Sequence, residues 1–480
     1  ENWLDVKPET EVNEDDMFNT EQGFMDALYG IYVNMGKSDL YGGTLQTALD
    51  MTAQYYSYYD ISECPYGHYQ TFEYEHPSCT AISDALWMRI YYCIGLTNNL
   101  LKYLDKPEAV QICSNYDYLR GEALALRAYL HFELIRIFAP DVKKNPEYKS
   151  IPYRKTFSPD IEPQLKVKEV YQEILADLTE AKQLLSNDVI RTNGPDWLGE
   201  SEKKEESDDV TDKNEGYYTS DFLKTRKYRM NYYAVLGTLA RVHLTLGTTD
   251  DMEKAYDYAM EVIESGKFRP IQEEHILVSG EQAKYRDILF TDEFIFGLYS
   301  AQVDAFYKSN FDESYRVEKI LVNKLSDIYG QGTRVLRQTH WFKTSWGTSY
   351  LLKHNADLEY AKEKVRMITL AEMYYIAAEA HPAEAYDLLE EILPSREIHS
   401  SLPVNAGRTE VLTEVLKEYR KEYIGDGQFF YAYKRLIEEE AAILPLGINI
   451  PNENKVLVWP LPQDEIKYGD RESGIWKTEK

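Results

Sequence analysis

Cys64, His68, His76 and Cys79 form a set of side chains whose types and spacing resemble a chemical centre, C-x3-H-x7-H-x2-C. Thiolate and imidazole are ligands that suit zinc. The gap between the two halves is shorter than in common zinc modules, and Pro65 and Pro77 constrain the turns that carry them. The alternative is a loop whose polar residues face solvent or a ligand, and no resident metal is expected. Gly36-Lys37-Ser38 has the ending of a phosphate loop, but five residues separate it from Gly30 where that loop needs four. The chain has no G-x-S-x-G elbow, no H-E-x-x-H helix and no calcium loop. With 81 acidic residues, carboxylate pairs at helical spacing follow from composition, so none marks a hydrolytic centre. Neither an enzyme nor a bound cofactor is indicated.

Binding chemistry is better represented. There are 41 tyrosines beside 16 phenylalanines and 7 tryptophans. A tyrosine joins a flat apolar body to a polar tip, which suits wet, shallow recognition surfaces. The aromatics crowd residues 53–79, which lack a clean period and are broken by prolines and a glycine, and residues 341–352, which are turn-rich. The net charge of −28 excludes nucleic acid, which needs clustered Lys and Arg, and an anionic membrane surface. No run of apolar residues is long enough to span a bilayer. The cysteines (Cys64, Cys79, Cys93 and Cys113) are too few and too loosely spaced to fix a redox compartment, although Cys64 and Cys79 flank one loop and could pair.

These loops need a frame. Residues 119–140 place Ala123, Leu126, Leu130, Leu134 and Ile137 on one helical stripe and Ala125, Tyr129, Phe132 and Ile135 on another. A helix apolar on two sides is covered on two sides, as an inner helix of a stack is. Helices are also predicted over 14–36, 81–104 and 167–185. The stripes at Trp87 and Tyr91 mark packing positions. Residues 230–263 and 370–392 each read as two antiparallel helices brought close by small residues, a degenerate tetratricopeptide pair. The scaffold is placed at about 81–185, 230–265 and 366–393, and the ligand-facing loops at 53–80 and 270–365, within one unit spanning 1–480. Residues 198–216 are nearly all charged or small and read as a solvated insertion. Strands are predicted at 293–299 and 455–463. The fold class is mainly α: helix pairs forming a scaffold, a loop-rich second half and a few short strands.

The order of segments resembles the SusD/RagB family of Bacteroidetes outer-membrane lipoproteins. The resemblance is carried by LDVKP near the start, ALYGIY, Trp87-x-x-Ile90-Tyr91 with Asn98-Asn99, EALALRAYLHFELIRIFAP followed by IPY, and VYQEILADLTEAKQLL. Late in the chain, EYRKEYIGDGQFFYAYKR is similar to that family's E-x-R-x-E-x-x-x-E-G-x-R segment, with Asp426 where Glu is usual and Gln428 and Phe429 around the usual Arg. VLVWPLPQDEI is similar to its closing segment. The resemblance implies a non-catalytic cell-surface protein that binds a glycan and delivers it to a SusC-like TonB-dependent outer-membrane transporter. It also implies lipid anchoring on the extracellular face, through a cysteine that would precede Glu1. The family's binding loops correspond here to Tyr66, His68, Tyr69, Phe72 and Tyr74, to Tyr299, Phe306 and Tyr307, and to Trp341, Trp346 and Tyr350. Trp346 is the preferred contact, because Ser345 and Gly347 flank it and favour an exposed turn. Any of these aromatics could instead fill a local core. Peptide uptake on the same scaffold and a purely protein-binding helical repeat are the alternative functions.

Overall fold

The computed structural model describes residues 14–58, 64–199, 221–311, 320–322, 325–330, 335–355, 357–443, 446, 450 and 455–476. Most of the predicted insertion, residues 200–216, lies outside these. The longer helices are α1 (Glu21–Met35), α2 (Thr44–Thr52), α3 (Pro77–Leu104), α4 (Tyr116–Phe138), α5 (Val167–Leu184), α6 (Tyr232–Leu246) and α7 (Thr249–Glu264). They continue as α8 (Val303–Phe311), α9 (Leu370–Ala380), α10 (Ala385–Ile392), α11 (Arg408–Glu422) and α12 (Phe429–Leu436).

The double stripe of residues 119–140 becomes α4, which is buried on nearly every side from Leu119 to Phe138 and stops two residues before Pro140. It packs against α3 and α5. A Cβ at Gly121 would meet Leu185 Cγ at 2.8 Å, so the glycine permits this close approach. The two predicted pairs form as α6–α7 and α9–α10, and α7 also packs on α9. Gly247 caps α6 in the left-handed region at φ +68 and reverses the chain within two residues. The class is therefore mainly helical, as the periodicity predicts.

Two local expectations change. Pro77, taken as a breaker of residues 53–79, instead occupies the first turn of α3, where a missing N–H costs nothing, and His76 caps that turn by accepting from Ser78 N. Residues 455–463 form no ladder among the described residues. Pro460 and Pro462 remove donors, and Trp459 N donates a lone bond to Ile137 O.

The predicted strand at 293–299 is β2 (Phe294–Tyr299), paired antiparallel with β6 (Lys364–Thr369). A second antiparallel sheet has the order β1-β3-β5-β4, formed by β1 (Tyr56–Ser57), β3 (Leu321–Val322), β5 (Thr348–Leu351) and β4 (Phe342–Ser345). The aromatic residues 341–352 thus make a hairpin, joined through β3 to the region after α2.

A buried charge cluster ties these parts together. Glu422, at the end of α11, accepts from Arg337 at 2.8 Å, Arg366 at 2.7 Å and Arg396 at 3.2 Å. Arg396 also makes a two-point pair with Glu293, and Arg337 reaches Glu418 at 2.6 Å. Burial alone would raise the Glu422 carboxyl, but the Arg396, Arg366 and Arg337 guanidinium groups hold it well below the usual range. Lys353 binds Asp426 at 2.9 Å, and Asp50 of α2 accepts from Gly425 N at 2.6 Å and Gly427 N at 3.2 Å. Gly427 sits at φ +68, and its missing Cβ would lie 2.9 Å from Gln46 Cα, so only glycine allows α2 this close. The family-like segment Glu418–Gly427 is therefore a structural clamp. A second clamp surrounds Glu122 of α4, which accepts from Tyr32 at 2.6 Å and from Arg226 and Arg229.

Replacing Glu422 by Gln leaves three desolvated cations around a neutral amide. The expected loss is roughly 3–5 kcal/mol, measured by urea denaturation against the parent chain.

Candidate functional site

The β4–β5 hairpin ends in the two-residue turn Trp346-Gly347, with Ser345 opposite Thr348 as the last pair. Both turn residues have positive φ, +53 for Trp346 and +79 for Gly347, as the tight turn matching strand twist requires. Glycine adopts this region freely, whereas a bulky side chain there is uncommon and strained. Trp346 is nonetheless 86% exposed, so this strained turn carries a large aromatic ring at the surface.

Behind the tip, a cleft of about 300 Å³ opens between α8 and the hairpin. Lys343 and Tyr350 are cross-strand partners on its wall, and Asp304, Tyr307, Lys308 and Phe311 line it from α8. His354, Asn355 and Asp357 complete the lining. Tyr307 stacks on His354 with ring centres 4.1 Å apart and donates to Gly425 O at 3.2 Å, which fixes the floor to the charge clamp. Asp304 accepts from Glu363 N at 3.2 Å, and burial pushes its carboxyl up. His354 is buried, and its Nδ1 has no hydrogen-bond partner among the described residues. Burial, and then the nearby Lys353 charge, lower its pKa to about 3, so the ring is neutral at ordinary pH. Flat rings, hydroxyl, amide and charged tips line one small cleft, a mixture that can cover an apolar face and pair several hydroxyls at once.

The sequence-derived aromatics separate by burial. Tyr307 and Tyr350 line the cleft, Phe306 lies beside them on α8 with its ring in the space left by Gly43, and Trp346 stands at the hairpin tip. Trp341 does not reach the surface. It is fully buried, donates from Nε1 to Ile288 O at 2.6 Å and carries Lys353 Nζ 4.1 Å above its ring. Tyr69 and Tyr74 pack on Trp459 and donate to Cys79 O and Val456 O. Tyr66 is buried with its hydroxyl at Thr44, and Phe72 is half-buried against the same core. Tyr299 is half-exposed and packs on Tyr228, outside the cleft lining.

The Cys64–Cys79 set does not gather into a centre. Both cysteines are free and buried, and burial raises their thiols to about 11 and about 12. His68 and His76 stack on each other at 3.5 Å, with His68 bound to Glu73. Among the described residues, no group of three His, Cys, Asp or Glu side chains could hold a metal. Periodicity did not single out Asp304, Lys308, Lys343, His354 or Asn355; polar residues in irregular segments carry no local signal of the cleft they share.

Two outcomes follow. Trp346→Asn, which tolerates a positive φ before Gly347, is expected to leave hairpin stability unchanged or raise it by up to about 1 kcal/mol, read by thermal melting. For His354, the unfolded chain takes up a proton near 6.5 and the folded chain only near 3. Its contribution is therefore fully present above about 6.5 and is lost as pH falls toward 3. Unfolding free energy measured against pH between about 5 and 6.5 should fall less steeply toward acid in His354→Gln than in the parent.

Residues 2–194 match the profile of a family described as SusD-like_3, starch-binding associating with outer membrane. No curated protein matches the chain. Among solved structures, a SusD superfamily protein from Bacteroides thetaiotaomicron is 20% identical, with 94% of this chain and 98% of that one covered at a TM-score of 0.66. A SusD-like carbohydrate binding protein from Bacteroides vulgatus is 20% identical over 87% and 83% of the two chains, with a TM-score of 0.63. A SusD homolog from Bacteroides thetaiotaomicron is 16% identical over 97% and 99%, with a TM-score of 0.67. At these identities the likeness is one of fold, and it extends over nearly the whole chain.

Proposed function

We propose, for a chain that is SusD-like in its matched N-terminal segment and in its fold, that it captures a glycan at the Trp346 hairpin and delivers it to a TonB-dependent outer-membrane transporter. The observation that carries this reading is the exposed tryptophan in the strained turn of a hairpin whose strands wall an aromatic and polar cleft. A pyranose ring presents a flat C–H face that Trp346 can cover, while its hydroxyls meet the Tyr350, Asn355, Asp304 and Lys308 tips. Recognition needs no bond to break, so the protein acts as a binder and not as a catalyst.

The helix pairs over 81–185, 230–265 and 366–393 serve as the rigid support in this reading, and the parts at 53–80 and 270–365 carry or brace the ligand face. No helix among the described residues is long and apolar enough to cross a membrane. Attachment to the outer membrane through a lipid group, on its extracellular side, belongs to the same reading. A second reading has one observation in its favour. Among the described residues β4 is an edge strand beside the cleft, and an extended peptide could pair with it.

Calorimetry of the purified chain against plant, host and microbial polysaccharides, with peptide mixtures alongside, separates the two. The expected result is binding of one glycan class that weakens roughly tenfold or more in Trp346→Ala with the melting temperature unchanged. Binding of peptides alone overturns the glycan reading, and glycan binding that survives the substitution removes Trp346 from the site.

A further inference from the structure

A second groove lies on a different part of the fold, between the loop after residue 193, the turn after α7 and the His275–Asp292 pair. Its volume is about 510 Å³, within the range of small-ligand sites. One wall is the segment Gly194–Trp197, which is pinned to the following chain. Trp197 O accepts from Thr225 N at 2.9 Å, and Asp196 pairs with Lys227 at 2.6 Å. The other wall is Gly266–Arg269, braced across the groove by Lys267 Nζ donating to Thr192 O at 3.0 Å. Asp292 is taken by His275 at 2.9 Å. Both carboxylates of the lining thus already have a side-chain partner, Lys227 for Asp196 and His275 for Asp292.

Arg269 is not. Its backbone N–H donates to Asp292 O at 3.4 Å, which fixes its position, but its exposed guanidinium has no hydrogen-bond or ion-pair partner among the described residues. In a chain of net charge −28, the groove thus holds a guanidinium without a partner among the described residues, and the Trp197 indole lines the same groove. Guanidinium pairs with a carboxylate through two parallel hydrogen bonds, and the indole covers a sugar's C–H face. We propose that this groove is a second glycan site that selects acidic sugars, with Trp197 stacking on a uronic acid ring and Arg269 binding its carboxylate. The choice of a sugar ligand rests on the glycan-binding reading, but the groove shares no residue with the Trp346 cleft.

Calorimetry with tetragalacturonate as the acidic probe and maltotetraose as the neutral one tests this on the full chain. The parent should bind tetragalacturonate, weakened about tenfold or more by Arg269→Gln, on the scale of one charged hydrogen-bonded pair. Arg269→Lys should recover part of that loss, and Trp197→Ala should remove binding while Trp197→Phe retains most of it. Trp346→Ala should leave the acidic probe bound, which separates this site from the cleft even if the cleft's own reading fails. Melting curves establish that each variant is folded. No binding of tetragalacturonate by the parent, binding indifferent to both Arg269 and Trp197, loss with Arg269→Gln alone, or equal losses for maltotetraose would each overturn the proposal.

Discussion

The Glu422 carboxylate is fully buried among three guanidinium groups, and that desolvation dictates much of what surrounds it. A buried charge is tolerated only when opposite charges and hydrogen bonds replace its hydration. Here the replacements come from the short helix Leu336–Trp341, from β6 and from the turn after α10, so these segments cannot shift independently. Asp426 and Asp50 extend the same constraint to α2, in the opposite part of the sequence. Helix pairs alone would leave the loop-rich second half loosely docked. The charge clamp gives it one register, and the cleft floor at Tyr307 inherits that register through Gly425.

Tyrosine performs a related task. More than half of the 41 tyrosines are buried. Their rings fill core volume while their hydroxyls satisfy carbonyls or carboxylates that would otherwise be stranded, as Tyr55 does at Arg420 O and Tyr32 at Glu122. The excess that looks like binding chemistry is therefore largely internal wiring, and the most exposed of the candidate aromatic rings is a tryptophan, Trp346.

This division marks how far the sequence was legible. Periodicity reports which side of a helix is buried, so α4 and the pairs α6–α7 and α9–α10 could be read from residues three and four apart. The burial of an aromatic in a loop depends on partners far along the chain. Tyr55 bonds a carbonyl 365 positions away, and Trp341 is covered by Lys353 and capped by Ile288 O. No local spacing distinguishes Trp341 from Trp346, five residues later, although one is sealed in the core and the other stands in solvent. The flanking Gly347 was the usable signal, because a tight hairpin turn needs positive φ. The prolines misled in opposite directions: Pro77 opens a helix, and Pro460 and Pro462 prevent a strand.

The hairpin tip stands apart from the packed frame. Among the described residues, Ser345–Thr348 belongs to neither charge clamp, and β5 reaches the rest of its sheet through the Val322–Ser349 pair. Those four residues behave as an exchangeable cassette. Substitution there alters the exposed tip while the residues of both clamps keep their partners, so the tip and the frame can be changed independently.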